Sequence, residues 1–111
     1  DLPRAFAFYD ALMAEVGAAR IWESDTGVSW GQKRGASLAV MKPFNGEPAT
    51  VGNGVMVALA MRSKEDVDRI YAKAIALGAK DEGAAGPRGT GFCAGYFRDP
   101  DSNKLCVFHM G

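Results

Sequence analysis

The sequence predicts an α+β chain made of two similar β-α-β-β-β units. Three observations carry this. Two amphipathic helices repeat at a fixed offset, short strand-like runs follow each of them, and the last twenty residues read as a β-hairpin. In the first helix Phe6, Tyr9, Met13 and Val16 recur at helical spacing and Gly17 stops the run; 61 positions on, Val67, Ile70, Ala74, Leu77 and Gly78 repeat the pattern. Similarity at a constant offset is the mark of an internal duplication.

Taken in order, Asp1 can cap the first helix, with Pro3 in the first turn, where a missing N–H costs nothing. This predicts a helix near 1–17. Ala19–Glu23, Val28–Gln32 and Ser37–Met41 follow as strands. Residues 44–53, with Gly46, Pro48, Gly52 and Asn53, read as a linker between a first module at 1–43 and a second at 54–111, within one domain over 1–111. The second module opens on a strand, Val55–Met61. Ser63, with Asp66 three residues later, starts a helix over 63–78. A poor strand near Ala79–Glu82 comes next. Gly83 to Gly89 is Gly-rich but has neither the Lys-Ser/Thr of a phosphate loop nor a following helix, and reads as a mobile loop. Phe92–Arg98 and Leu105–Met110 flank the turn-rich Asp99-Pro100-Asp101-Ser102-Asn103, in which Asp99 is expected to fix the turn. The offset also places the first module's opening strand ahead of Asp1, so that strand is expected to be absent from this sequence.

The 111 residues carry 13 basic and 13 acidic side chains, for no formal net charge, and the charges are scattered. That leaves no footprint for nucleic acid or an anionic membrane surface. No apolar run approaches ~18 residues, and a cytoplasmic protein is the expectation. Cys93 and Cys106 do not suggest a disulfide: Cys106 should lie across the hairpin from Tyr96, leaving Cys93 several residues away.

Several stretches resemble one family. Phe97-Arg98-Asp99-Pro100-Asp101-Ser102-Asn103-Lys104-Leu105 resembles the "F-x-DPDGN-x-[IL]-E" hairpin of the vicinal oxygen chelate superfamily of glyoxalases, bleomycin resistance proteins and extradiol dioxygenases. Asp1 to Tyr9 resembles that family's first helix, and Gly52 to Ala58 the strand opening its second half. The resemblance implies paired β-α-β-β-β modules forming a curved, partly open mixed sheet with the helices on its outer face. It also implies a cleft for a small organic or aromatic molecule and a homodimer. In metal-dependent members a divalent ion acts as Lewis acid. Carried over by position, the ligands fall on Met56 and Cys106, with a third near Val40 or Met41, so the metal site looks degenerate. Zinc, nickel or iron is expected only if the strand ahead of Asp1 restores a site.

Trp22, Trp30, Met41, Met56, Tyr96, Cys106 and Phe108 are the candidate cleft residues, since small-molecule sites are mostly apolar with a few polar groups; core packing is the alternative for each. Arg98, Lys42 and Glu23 are candidate polar contributors. His109, the only histidine, should face away from Cys106 and lie near Cys93. There it forms either a thiolate–imidazole pair or a satisfied histidine beside a buried thiol. Three classes of function follow. One is a metal-dependent lyase, isomerase or ring-cleaving dioxygenase. The second is a bleomycin-resistance-type protein that sequesters its ligand. The third is a protein-interaction or regulatory domain built on the same scaffold.

Overall fold

The computed structural model describes residues 1–32 and 34–111. The chain divides into two compact units, Asp1–Thr50 and Val51–Gly111, with the division inside the predicted linker.

The first unit runs α1 (Leu2–Glu15), β1 (Ala19–Ser24), β2 (Gly27–Gly31) and β3 (Ser37–Met41). Its three strands form an antiparallel sheet in the order β1-β2-β3. The second unit runs β4 (Val57–Ala60), α2 (Lys64–Ala76), β5 (Lys80–Pro87), β6 (Phe92–Arg98) and β7 (Lys104–Met110). Its four-stranded sheet is mixed, in the order β4-β7-β6-β5, with β4 parallel to β7. Neither sheet closes on itself.

The helix ends show the duplication in backbone detail. Asp1 Oδ1 accepts from the Arg4 amide at 3.1 Å, and Ser63 Oγ from the Asp66 amide at 3.1 Å. At the other ends Ala18 N donates to Met13 O and Gly17 N to Ala14 O, just as Ala79 N donates to Ala74 O and Gly78 N to Ile75 O. This is the Schellman arrangement, closed by glycine at positive φ.

In α2, Val67, Ile70 and Ala74 are fully buried, and burying each of the two larger side chains contributes about 1.5–3 kcal/mol. The buried side of α1 is displaced from the predicted stripe. Ala5, Phe8, Tyr9, Leu12 and Met13 are buried, whereas Phe6 and Val16 lie at the margin. Phe6 sits there because its ring meets Trp30 edge-on and carries the Arg20 guanidinium 5.4 Å from its centroid.

The Gly-rich stretch is not a loop. Residues through Pro87 belong to β5, which pairs with β6 through Gly83↔Tyr96, Gly86↔Ala94 and Pro87↔Cys93, with register shifts between them. Poor strand propensity hid an edge strand whose glycines serve the packing. At Gly83 a Cβ would lie 3.1 Å from Tyr96 Cδ2, and φ is +151°. Only glycine lets the backbone pass so close to that ring.

The predicted hairpin is present in full register, from Phe92↔Met110 to Arg98↔Lys104. Its turn contains Ser102 at φ 70°, the one described non-glycine residue with positive φ. A left-handed conformation costs an L-residue about 1–2 kcal/mol, against about 0.5–1 kcal/mol of chain entropy that glycine gives up. Ser102→Gly is therefore expected to stabilise the protein by roughly 0.5–1 kcal/mol and raise the melting temperature by a few degrees. A lower melting temperature would contradict this reading of the turn.

Candidate functional site

In the second unit the two faces of the sheet are set by α2. A Cβ at Gly95 would lie 3.0 Å from Tyr71 Cδ1, and the Phe97 ring centroid is 6.4 Å from that of Tyr71. Residues 95 and 97 thus face the helix, and strand alternation turns Phe92, Ala94, Tyr96 and Arg98 to the helix-free face. Across the ladder, Lys104, Cys106, Phe108 and Met110 stand opposite Arg98, Tyr96, Ala94 and Phe92. Ala58 and Ala60 of β4 lie beside Cys106 and Phe108.

Tyr96, Cys106 and Phe108 therefore share one surface. Phe92 adds to it, with its ring 6.0 Å from that of Phe108. Cys106 is only 3% exposed. Burial pushes its thiol up, against the smaller opposing effects of the Tyr96 hydroxyl and the charges of Arg88 and Lys104. The group at the centre of the face is thus a neutral thiol at ordinary pH. Met56 lies just ahead of β4 and is 44% exposed.

Two cations frame Tyr96. The Arg88 guanidinium lies 5.6 Å and the Lys104 ammonium 5.7 Å from the ring centroid, within cation–π range. Arg98, a predicted polar contributor, is already engaged. Its Nε donates to Glu82 Oε1 at 2.9 Å, and its Nη1 to the Ser102 carbonyl at 2.8 Å. Phe92 and Lys104 could have been found from strand parity, since they alternate with Tyr96 and Cys106. Arg88 could not, because the sequence of the strand that positions it reads as a loop.

The first unit holds the remaining candidates. Trp30 is 1% exposed and belongs to the helix-facing side: its Nε1 donates to Asp10 Oδ1 of α1 at 2.8 Å, and its ring lies 5.5 Å from that of Tyr9. It is a core residue rather than part of an open surface. Trp22 pairs with Ser29 and Met41 with Gly27, which puts both on the face away from α1, 47% and 50% exposed. Glu23 accepts from Arg20 Nη1 at 2.9 Å, and Lys42 is exposed.

His109 stands opposite Cys93, as parity predicted. Its Nδ1 lies 3.0 Å from the Met61 carbonyl. A carbonyl can only accept, so Nδ1 carries the proton and ties the end of β7 to the exit of β4. Both cysteines are free and buried. Among the described residues no three His, Cys, Asp or Glu side chains converge on a point. The positions carried over from metal-dependent relatives offer a thioether and a protonated thiol, which do not fit a hard or borderline divalent ion.

Three carboxyl groups fix the acid limb of stability. Arg20 and Trp30 hold Asp10 low, the Tyr71 hydroxyl and Gly83 amide do the same for Asp81, and Arg98 does so for Glu82. A depressed folded pKa gives stability that is present above the unfolded value and lost as pH falls through the folded one. Stability should therefore start to fall as pH drops through the ordinary values of 4.5 for Glu82 and 3.8 for the two aspartates. On the alkaline side Tyr71, pushed up to about 12 by its hydrogen bond to Asp81, stabilises in its protonated form. That contribution is lost as pH rises from 10 toward 12. Urea midpoints measured across both ranges check this; Asp81→Asn should flatten both limbs, and unchanged slopes would contradict the assignment.

Two units of one plan, each with a helix on one side of an open sheet, define the paired-module α+β class. The chain belongs to the Glyoxalase/Bleomycin resistance protein/Dioxygenase superfamily, whose model it matches over residues 1–107. It is similar to the crystal structure of a glyoxalase/bleomycin resistance protein from Albidiferax ferrireducens T118. The two are 34% identical, with 100% of this chain and 91% of that one covered and a TM-score of 0.89. A glyoxalase-related enzyme from Fulvimarina pelagi shares the fold at 22% identity, with 98% and 80% covered and a TM-score of 0.77. Lactoylglutathione lyase from Agrobacterium tumefaciens does so at 22% identity, with 98% and 85% covered and a TM-score of 0.71. No curated protein matches the chain in sequence. Among the described residues no helix is long and apolar enough to cross a membrane.

Proposed function

We propose that the protein binds a small, flat organic molecule on the helix-free face of the β4-β7-β6-β5 sheet, and that it does so without a divalent ion at Met56 and Cys106. The observation that carries this is Cys106 itself. At the position where metal-dependent relatives place a carboxylate, a buried neutral thiol lies between Tyr96 across the ladder and Phe108 two residues on. Aromatic rings and sulfur give a ligand polarisable apolar contact. They give a Lewis acid little to bind. This favours a sequestering role over metal-dependent lyase or dioxygenase chemistry.

The test is a thermal-shift titration with naphthalenemethanol, run with EDTA and again with added zinc, nickel or iron, alongside elemental analysis of protein purified without chelator. A ligand-dependent rise in melting temperature that EDTA leaves unchanged is expected. One tightly bound equivalent of metal, lost in Cys106→Ser, would overturn the proposal.

A further inference from the structure

The binding face carries more positive charge than its own carboxylates neutralise. Lys80 stands opposite Arg98 in the ladder, and Arg88 and Lys104 both approach the Tyr96 ring. Glu82 is the acid that answers them, and it is taken by Arg98 at 2.9 Å. Among the described residues neither Arg88 nor Lys104 makes a direct ion pair; Lys104 and Lys80 feel only the longer-range charge of Glu82. Lys104 is only partly exposed, and its ammonium is held against a π-face rather than extended into solvent.

Arg88 is held in place by backbone. Its Nη2 donates to the Ala84 carbonyl at 2.6 Å, and its Nη1 to the carbonyls of Gly86 at 3.1 Å and Pro87 at 3.2 Å. A guanidinium has five N–H donors, so those three bonds leave donor capacity to spare beside the ring. The cost of ordering this long side chain is met before any ligand arrives, which favours affinity. Beneath the two cations Cys106 supplies no compensating anion, because burial keeps the thiol protonated.

Resting on the reading above, we propose that the ligand is an aromatic acid, its ring on the Tyr96–Phe108 surface and its carboxylate held by Lys104 and Arg88. A carboxylate accepts charge-assisted hydrogen bonds from both types of cation, and an adjoining ring uses the apolar surface between them. A neutral aromatic would partly desolvate the two cations and place no anion between them, with only the longer-range charge of Glu82 acting on Lys104.

The experiment compares naphthoate with naphthalenemethanol by calorimetric titration at low salt, on the wild-type chain and on single variants. Naphthoate should bind about tenfold more tightly, the scale of one hydrogen bond to a charged group, and added salt should narrow the gap. Lys104→Gln should remove most of the preference by weakening naphthoate far more than the alcohol, and Lys104→Arg should restore it. Lys104 is the main probe because its ammonium packs on a single ring, whereas Arg88→Gln also removes three bonds within β5 and its end. Equal affinity for acid and alcohol would overturn the anion assignment and leave the binding face standing. A preference for the acid that survives both Lys104→Gln and Arg88→Gln would overturn it too, since the carboxylate would then sit elsewhere. Failure of both compounds to bind would overturn this inference and the proposed function together.

Discussion

Asp99→Ala is expected to cost about 3 kcal/mol and to disable the binding face. The Asp99 side chain is buried in the turn between β6 and β7. Its Oδ1 accepts from the amides of Asp101 and Asn103, each at 2.9 Å, and its Oδ2 from the Asn103 side-chain amide at 3.0 Å. Hydrogen bonds to a charged group contribute about 1.5–3 kcal/mol each, and their shared geometry keeps the total below the sum. Asp99→Asn should cost roughly half as much, because a carbonyl oxygen still serves the two backbone amides while its NH2 meets that of Asn103. The turn sets the register that brings Tyr96 opposite Cys106. Loss of naphthalenemethanol binding should therefore accompany the drop in urea midpoint. An alanine variant within ~0.5 kcal/mol of wild type would show that the turn holds without its carboxylate.

Asp10→Ala should have the second largest effect, about 2 kcal/mol. Asp10 Oδ1 accepts from Trp30 Nε1 and from Arg20 Nε, and its Oδ2 from Arg20 Nη2, all at 2.8 Å. The Asp10 side chain is 44% exposed, so its pairing with Arg20 is screened and contributes modestly. The larger loss is the buried indole N–H left without an acceptor, about 1–3 kcal/mol. Asp10→Asn keeps an acceptor for the indole and should cost under ~1 kcal/mol. Denaturation with tryptophan emission as the probe separates the two variants. Equal losses would place the energy in the ion pair instead.

Much of this was legible in the residues. The hairpin announced itself through Asp99 to Asn103, where turn chemistry is local and the flanking aromatics alternate. The helix stops at Gly17 and Gly78 were equally plain, since a left-handed residue after a helix calls for glycine. Trp30 was less so: one indole can fill a core or line a cleft, and only the register with Arg20 and the bond to Asp10 decides. Arg88 lay beyond reach because Gly83 to Gly86 lacks every side-chain signal of a strand. Its pairing comes from backbone bonds to β6, which sequence periodicity does not record. The charged frame around Tyr96 was therefore hidden even though each of its residues was in view.

Metal-free ligand binding on the helix-free face of the second sheet can be tested residue by residue. The most direct measurement is amide chemical-shift mapping of the nitrogen-labelled protein during titration with naphthoate in the presence of EDTA. Shifts concentrated at Ala94, Tyr96, Lys104, Cys106 and Phe108, saturating with one equivalent, are the result this account predicts. Shifts centred on the helix-facing residues Val67, Ile70 and Phe97, or shifts that appear only after zinc, nickel or iron replaces the EDTA, would contradict it.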